Sequence, residues 1–274
     1  MKYKMVVIDI DGTLVDKHGN ITLEDKNAVA RLINSNVIVS LCTGRIISTT
    51  MPIIEELGLK AFDIFYDGAL IYNTGTRATL YAKPLDAAIV REAIDFSRQN
   101  DIYLELYSSE KFFSEQPNWS DEVHRKFFHV EPTKVNFDDI WDKERILKAE
   151  VVVHDDEEAA KARLFEDHFG NKLRYSIARS PAYPEIDFIN IVNPQVNKGE
   201  ALKKLMEHYG YLPSEVIAIG DGLNDIPLLE AAGVSVAMGN AFPEVKQVSD
   251  YITLDIEQHG VASAINFFFP GVGP

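Results

Sequence analysis

An apolar run that ends in acidic residues is the feature that most constrains the fold of this chain. Residues 5–8 have the length and the β-branched content of a buried parallel strand, and Asp9 and Asp11 follow them directly. In open α/β sheets, ligands bind in the crevice beyond the carboxyl ends of the strands. The sequence therefore predicts a parallel sheet that carries a pair of carboxylates at its ligand-binding edge.

The spacing of these acidic residues has two less specific interpretations. An EF-hand loop requires a helix before it, a glycine at the sixth position and a glutamate at the twelfth. Counting from Asp9, the glycine comes too early at Gly12, the twelfth residue is Asn20, and the preceding segment is strand-like. These differences exclude a calcium loop. A plain surface turn remains an alternative for the motif taken alone.

Strand-like and helix-like segments alternate on both sides of a middle portion with a different character. Residues 37–41 predict a second buried strand, and Thr22 with Asp25 has the spacing of a capping box at the start of the helix between the strands. Aromatic and charged residues are concentrated in residues 84–187, where helical patterns alternate with short strand-like runs. We interpret this portion as an inserted α+β module, joined to the rest by two chain crossings that act as a hinge.

Composition excludes several classes of partner. The net charge of −15 argues against nucleic acid and against anionic membrane surfaces, because both require clustered Lys and Arg. No apolar stretch approaches the roughly 18 residues of a membrane span, and Asp9 interrupts the N-terminal apolar run before it could act as a signal peptide. Cys42 is the single cysteine, so an intramolecular disulfide is impossible. We expect a cytoplasmic protein, either a monomer or a homodimer.

Polar clusters follow the strands that such a sheet would bring side by side. They are Asp9 with Asp11 after the first strand, Thr43-Gly44-Arg45 after the second, Lys198 at a helix start, and Gly220 to Asp225 after the strand at 216–219. Each cluster alone is weak, since Lys198 suits a solvated helix and glycine, Asn and Asp favour turns. Their joint occurrence in this order indicates a site for phosphoryl transfer, where catalysis is chiefly positioning and charge stabilisation.

Each cluster has a predicted task. Asp9 is the candidate nucleophile, Asp11 the candidate general acid and base, and Lys198 the cation that offsets their charge. Magnesium prefers oxygen ligands. The candidate metal residues are Asp9, Asp11 through its backbone carbonyl, Asp221, and Asp225 through the metal's waters. The candidate phosphate- and substrate-binding residues are Thr43, Gly44, Arg45, Lys198 and Asn224.

These motifs, in this order, resemble the Cof-type phosphatases of the haloacid dehalogenase superfamily, subclass IIB, over the whole chain. The matching segments are 9–13, 43–45, 196–199, 220–225, 237–241 and 255–265. The resemblance implies a Rossmann-like doubly wound parallel sheet as the core (1–83 and 188–274) and an inserted α/β cap (84–187), together with dependence on Mg²⁺. One departure is Asp67-Gly68-Ala69, where relatives usually have Asn-Gly-Ala. It predicts an extra negative charge near the mouth of the cleft.

The expected function is magnesium-dependent hydrolysis of small phosphorylated metabolites, such as sugar phosphates, through an aspartyl phosphate. A carboxylate at Asp11 favours rapid hydrolysis over a long-lived phosphoenzyme. Two alternatives stay open: a sugar phosphomutase, and a sugar-phosphate-binding regulator with vestigial activity. The leaving group is expected to be selected by cap residues that face the cleft, and the sequence does not identify them.

Overall fold

The computed structural model describes residues 2–128, 130–180 and 183–271. The strands are β1 (Met5–Ile8), β2 (Ile38–Leu41), β3 (Asp63–Phe65), β4 (Leu70–Asn73), β5 (Ala78–Ala82), β6 (Glu105–Tyr107), β7 (Phe112–Ser114), β8 (Thr133–Lys134), β9 (Lys148–Val153), β10 (Arg174–Ser180), β11 (Tyr183–Val192), β12 (Val216–Gly220), β13 (Val234–Ala237) and β14 (Tyr251–Ile252). The helices are α1 (Leu23–Asn34), α2 (Ile47–Leu57), α3 (Ala87–Gln99), α4 (Ser120–Val123), α5 (Asp156–Phe169), α6 (Lys198–Tyr209), α7 (Ile226–Ala231), α8 (Pro243–Gln247) and α9 (Gly260–Phe268). None of these helices is both long and apolar enough to cross a membrane.

The first sheet is parallel throughout and has the strand order β14-β13-β12-β1-β2. Strand β1 lies inside it, with Val6 opposite Ile217 on one side and Val39 on the other. All of β1 is buried, which explains why its sequence is continuously apolar rather than alternating. The predicted Rossmann-like α/β core is therefore confirmed.

A small antiparallel sheet, β3-β4-β5, continues from the open edge of β2. A single parallel bridge between Cys42 and Ile64 connects the two sheets, and Cys42 is fully buried there. Strands β4 and β5 form an antiparallel hairpin. The predicted cap of α1 is present in part: the Thr22 hydroxyl accepts a hydrogen bond from the Asp25 N–H, and it donates to the Asp25 carboxylate, which takes the place of the backbone contact of a full capping box.

The inserted portion contains a second sheet with the order β10-β11-β9-β6-β7-β8. A separate apolar cluster, which includes Leu106, Val151 and Phe165, packs helices α3 and α5 against this sheet. Strand β11 is paired with β9 as far as Ile191, so the predicted division at residues 187 and 188 falls inside a strand. We propose that the cap ends at Val192, where β11 ends.

Candidate active site

Asp9 lies at the carboxyl end of β1, in the middle of the parallel sheet. Its backbone N–H donates to the Ile219 carbonyl, which fixes the start of the loop against β12. Its side chain is 6 % exposed, and its Oδ1 accepts a hydrogen bond from Lys198 Nζ at 2.7 Å. Burial raises the pKa of Asp9 well above its usual value, and the nearby Asp225 adds to the increase while Lys198 opposes it.

Lys198 is buried in the same site although it is the first residue of helix α6. Asn197 caps that helix by accepting a hydrogen bond from the Glu200 N–H, which sets the direction in which the chain enters. Lys198 Nζ contacts Asp225 Oδ1 at 2.6 Å as well as Asp9. Burial alone would lower the pKa of Lys198, but these carboxylates raise it well above the usual value. Lys198 is therefore a buried cation, not a solvated helix residue.

The loop after β12 brings Asp221 and Asp225 to the same edge. Asp225 is fully buried, and its Oδ2 accepts hydrogen bonds from the backbone N–H groups of Asp221 and Gly222 at 3.0 and 2.9 Å. Asp221 Oδ1 accepts a hydrogen bond from the Thr13 hydroxyl at 2.7 Å. Burial raises the pKa of Asp221 to about 7, and Asp225 adds to the increase.

Gly12 is required where the first loop passes Asp221. Its φ of +85° lies in the left-handed region, and a Cβ there would come within 2.3 Å of Asp221 Oδ2. The Gly12 carbonyl accepts a hydrogen bond from Asn240 Nδ2 at 2.7 Å. This close approach explains why the first motif has a glycine at this position. The hydrogen bond from Asn240 gives a role to the asparagine in the segment 237–241.

The carboxylates of this site fit a hard divalent cation. Ligand atoms of Asp9, Asp221 and Asp225 lie within 4.8 Å of one another, and the buried Lys198 contacts Asp9 and Asp225. Three carboxylates against one ammonium leave negative charge uncompensated, which the raised pKa values of Asp9 and Asp221 reflect. Both Asp225 oxygens already accept hydrogen bonds, so Asp9 and Asp221 are the better placed ligands for Mg²⁺.

Asp11 forms an ion pair with Arg45. Arg45 Nε donates to Asp11 Oδ2 at 2.8 Å and Arg45 Nη2 donates to Oδ1 at 2.5 Å, so the guanidinium holds both carboxylate oxygens. Arg45 is a predicted phosphate contact, and in this structure its guanidinium forms an ion pair with the candidate acid and base. The Asp11 side chain is 25 % exposed, in contrast to that of Asp9.

Thr43 and Gly44 lie at the same sheet edge, as predicted. The Thr43 hydroxyl accepts a hydrogen bond from the Arg45 N–H at 3.0 Å, so it stabilises the turn after β2. Helix α2 begins only at Ile47, and Gly44 therefore precedes its first turn. A Cβ at Gly44 would lie 3.2 Å from Asp67 Oδ1 and 3.3 Å from Asn190 Nδ2. The glycine lets both side chains approach the loop.

Asp67 is buried and not at the mouth of the cleft, so the location predicted for it is wrong. It is 3 % exposed, and its left-handed backbone (φ +52°) turns the side chain inwards after β3. Asp67 Oδ1 accepts a hydrogen bond from Asn224 Nδ2 at 3.0 Å, and Oδ2 accepts one from the Ser176 hydroxyl at 2.8 Å. Because Ser176 belongs to the cap and Asn224 to the core, Asp67 connects the two units.

A cavity of about 220 Å³ lies between the core and the cap. Its core side includes Asp9, Asp11, Thr43, Gly44, Arg45, Asp221 and Asn224. Its cap side includes Tyr107, His124, Lys148, Glu150, Phe188 and Asn190, which the sequence analysis did not single out. Alternation in Lys148-Ala149-Glu150-Val151 was the available signal, since it places the charged residues on one face of a strand. His124 is also buried at this cavity.

Comparisons with known proteins agree with the geometry of the site. The family model described as haloacid dehalogenase-like hydrolase matches residues 6–265. The 5-amino-6-(5-phospho-D-ribitylamino)uracil phosphatase YwtE of Bacillus subtilis is 27% identical over 98% of this chain and 99% of its own. A haloacid dehalogenase-like hydrolase from Bacteroides thetaiotaomicron has a TM-score of 0.84 and is 29% identical, with 98% of this chain and 100% of that chain covered.

A third comparison bears on the subclass. The solved structure of the subclass IIB sugar phosphatase BT4131 has a TM-score of 0.81 at 24% identity, and the match covers 98% of this chain and 100% of that chain. At that identity the likeness shows the fold, including the inserted cap. The predicted resemblance to the phosphatases of the haloacid dehalogenase superfamily is confirmed by the family model and by the relative YwtE. The chain is an enzyme of the haloacid dehalogenase-like hydrolase family.

Proposed function

We propose that this protein is a magnesium-dependent phosphatase that hydrolyses small phosphorylated metabolites, such as sugar phosphates, through an aspartyl phosphate on Asp9. The observation that carries the proposal is the buried Asp9 carboxylate at the carboxyl end of β1, held by Lys198 at 2.7 Å beside Asp221. The name of the Bacillus subtilis relative YwtE, a phosphatase, supports the same class of reaction. We further propose that the protein acts in the cytoplasm as a monomer or homodimer.

Lys198 and the neighbouring hydrogen bonds orient the nucleophile. Because Asp9 Oδ1 is held by Lys198, the other carboxylate oxygen of Asp9 is the one that attacks phosphorus. Asp9 and Asp221 would hold Mg²⁺, which offsets the repulsion between the carboxylates and a phosphate dianion. Gly44 and Thr43 lie opposite, where the backbone N–H of Gly44 can donate to a phosphoryl oxygen.

Asp11 is proposed to move the protons. In the first displacement its carboxyl group protonates the leaving oxygen, and in the second it takes a proton from the water that attacks the Asp9 phosphate. The Arg45 guanidinium holds both carboxylate oxygens of Asp11 and so fixes the orientation of this side chain for both steps. Arg45 is therefore proposed to position Asp11 and not to bind phosphate alone.

A sugar phosphomutase is the closest alternative, since it uses the same residues to return the phosphoryl group to a sugar. A mutase binds a substrate with a phosphate at each end, so its cavity needs cations at both ends. In the described lining of this cavity, Arg45 contacts Asp11 and Lys148 contacts Glu150, and this pairing favours the phosphatase. A regulator that only binds sugar phosphates would have no need of Asp11.

The test is phosphate release from p-nitrophenyl phosphate by the full chain. A phosphatase releases phosphate steadily with Mg²⁺ alone, whereas a mutase requires a bisphosphate primer and a binding protein releases none. Activity should disappear in excess EDTA and return when Mg²⁺ is added. Ca²⁺ should not restore it, because calcium accepts more ligands at longer distances and would engage both Asp9 oxygens. Full activity in EDTA would remove the metal from the mechanism.

A further inference from the structure

The cap sheet presents a polar cluster to the cavity that the proposed chemical steps do not use. Tyr107, Lys148, Glu150 and Asn190 lie on the adjacent strands β6, β9 and β11 and line the cavity. Asn190 is directly opposite Glu150, and Lys148 is directly opposite Tyr107. Since residues two apart on a strand share a face, as do residues opposite each other, these side chains point to the same side of the sheet.

Hydrogen bonds fix the geometry of this cluster. Lys148 Nζ donates to Glu150 Oε2 at 2.5 Å and to Asn190 Oδ1 at 2.8 Å. The Tyr107 hydroxyl lies between two carboxylates, 2.6 Å from Glu105 Oε2 and 3.0 Å from Glu150 Oε1, and donates its single hydrogen to one of them. The residues are 4 % exposed or less, so the side chains are held in place before any ligand binds. A buried, satisfied network of this kind is preorganised for recognition.

The amide nitrogen of Asn190 is the exception in this network. Lysine can only donate hydrogen bonds, so the Asn190 atom that faces Lys148 is the oxygen and Nδ2 points the other way. No hydrogen bond from Nδ2 is present among the described residues, although Asn190 is 2 % exposed. Nδ2 lies 3.3 Å from the Cβ position of Gly44. Because Asn190 lines the cavity, a hydroxyl oxygen of a bound ligand can accept a hydrogen bond from this donor.

The charges around the cavity are matched on the cap side. Lys148 contacts Glu150, His124 contacts Glu105 at 3.2 Å, and on the core side Arg45 contacts Asp11. In the lining that the structure describes, Lys148, Arg45 and, when protonated, His124 therefore each have a carboxylate partner. A second negative charge on a substrate would be buried here without a counter-charge of its own, which is unfavourable.

We propose that Lys148, Glu150 and Asn190 recognise the leaving group of the substrate, and that this leaving group is uncharged and carries hydroxyl groups. This inference rests on the proposed phosphatase function. A hydroxyl group accepts from the remaining Lys148 N–H and donates to Glu150, while Asn190 Nδ2 donates to a second hydroxyl oxygen of the leaving group. Carboxylates and second phosphates are excluded by the matched charges.

The test compares kcat/KM for pairs of probe substrates that differ chiefly in one charged group. Glycerol 3-phosphate is paired with 3-phosphoglycerate, and glucose 6-phosphate with 6-phosphogluconate. We expect the uncharged leaving group to be favoured by roughly tenfold or more in at least one pair, the scale of one unmatched charged contact. Turnover of p-nitrophenyl phosphate, whose leaving group carries no hydroxyl, reports on the core alone.

Two variants separate recognition from folding. Asn190→Leu keeps the size of the side chain and should lower kcat/KM for the favoured hydroxylated probe about fivefold to tenfold, with p-nitrophenyl phosphate changed less than about twofold. Glu150→Gln should raise kcat/KM for 3-phosphoglycerate relative to glycerol 3-phosphate, because it leaves the Lys148 charge for the substrate. Lys172→Met, on the outer surface of the cap where Lys172 contacts Glu92, is the matched control.

Equal kcat/KM within both pairs, or an equal loss for every probe in Asn190→Leu, would overturn the proposal. If Asn190→Leu does not fold, Asn190→Ser tests the same amide. Absence of phosphate release from all probes by the wild type would instead contradict the phosphatase function. In that case a rise in Tm with glycerol 3-phosphate and not with 3-phosphoglycerate would still support the recognition site, and a rise with neither would overturn it.

Discussion

The core side and the cap side of the cavity differ in the balance between buried carboxylates and buried cations. On the core side, Asp9, Asp221 and Asp225 surround a single ammonium group, that of Lys198. On the cap side, Lys148 and His124 are matched by Glu150 and Glu105. An excess of buried carboxylates is unfavourable unless a further cation binds, whereas a balanced network is stable without one.

This difference separates the two tasks of the enzyme. The unbalanced core is suited to bind a metal ion and a phosphate, since their charges complete it. The cap side is suited to bind uncharged polar groups through hydrogen bonds, since its charged side chains are already paired with one another. Substitutions on the core side should therefore change the chemical step for every substrate, and those on the cap side should change which substrate is used.

The largest effect is expected for Asp9→Asn, because an amide is not a useful nucleophile. Turnover of every substrate should fall by more than about 10⁴-fold, given the ~10⁶-fold and larger enhancements that enzymes achieve. The measurement is kcat for p-nitrophenyl phosphate, with circular dichroism to show that the fold is intact. Residual activity above about one per cent of wild type would contradict the role of Asp9 as nucleophile.

Asp11→Asn should reduce turnover less, by about 10²–10⁴-fold, the usual contribution of a general acid or base. The loss should be greatest with alkyl phosphates, whose leaving oxygen needs a proton, and smaller with p-nitrophenyl phosphate, whose leaving group is already stable. The matched control is Asp16→Asn, at a partly buried loop aspartate that accepts hydrogen bonds from local backbone N–H groups. Wild-type rates with glycerol 3-phosphate would rule out the acid and base role of Asp11.

The core side of the site could be predicted from the sequence because its motifs are short and local. An apolar strand followed by Asp9 and Asp11, and a strand followed by Asp221 and Asp225, are placed at one edge by parallel topology alone. Lys198 was identified through the motif around it, and its burial came only from the structure.

The cap side could not be predicted in the same way. Lys148 and Asn190 are far apart in sequence and meet through antiparallel register, which a single sequence does not specify. Asp67 shows the same limit: its departure from the family pattern was visible, but its burial depends on a left-handed backbone and on Ser176 of the cap. Long-range contacts of this kind can be identified only in the three-dimensional structure.

A smaller effect is expected for Asp67→Asn, which tests whether the cap and core are coupled through charge. Asparagine accepts the left-handed backbone, and the introduced amide can accept from Asn224 and donate to the Ser176 hydroxyl. Both hydrogen bonds are therefore kept while one buried negative charge beside Gly44 is removed. We expect KM for p-nitrophenyl phosphate to fall about threefold to tenfold with little change in kcat. Asp67→Ala, which loses both hydrogen bonds, should instead lower Tm, and an unchanged KM in Asp67→Asn would show that the charge does not affect phosphate binding.

The smallest effect concerns the pH dependence of cap stability. His124 Nε2 lies 3.2 Å from Glu105, with Glu150 and Lys148 nearby. Burial lowers the pKa of His124, but Glu105 raises it above the usual 6.5, and the same contact lowers the pKa of Glu105 below 4.5 against the effect of its burial. The contribution of His124 to the free energy of unfolding is fully present below pH 6.5 and is lost as the pH rises through its pKa in the folded state. The contribution of Glu105 is present above pH 4.5 and is lost as the pH falls through its pKa in the folded state.

The pair should therefore stabilise the cap most between pH 4.5 and 6.5. A double-mutant cycle with Glu105→Gln and His124→Gln should give a coupling free energy of about 0.5–3 kcal/mol at pH 6, from urea unfolding, and a smaller value at pH 9. The exposed pair Glu92–His168 is the matched control, with a coupling of about 0.5 kcal/mol or less because solvent screens it. A coupling free energy that is equal at both pH values would show that His124 stays neutral. Glu105 would then be a buried carboxylate without a cationic partner, and the charges on the cap side would not be balanced.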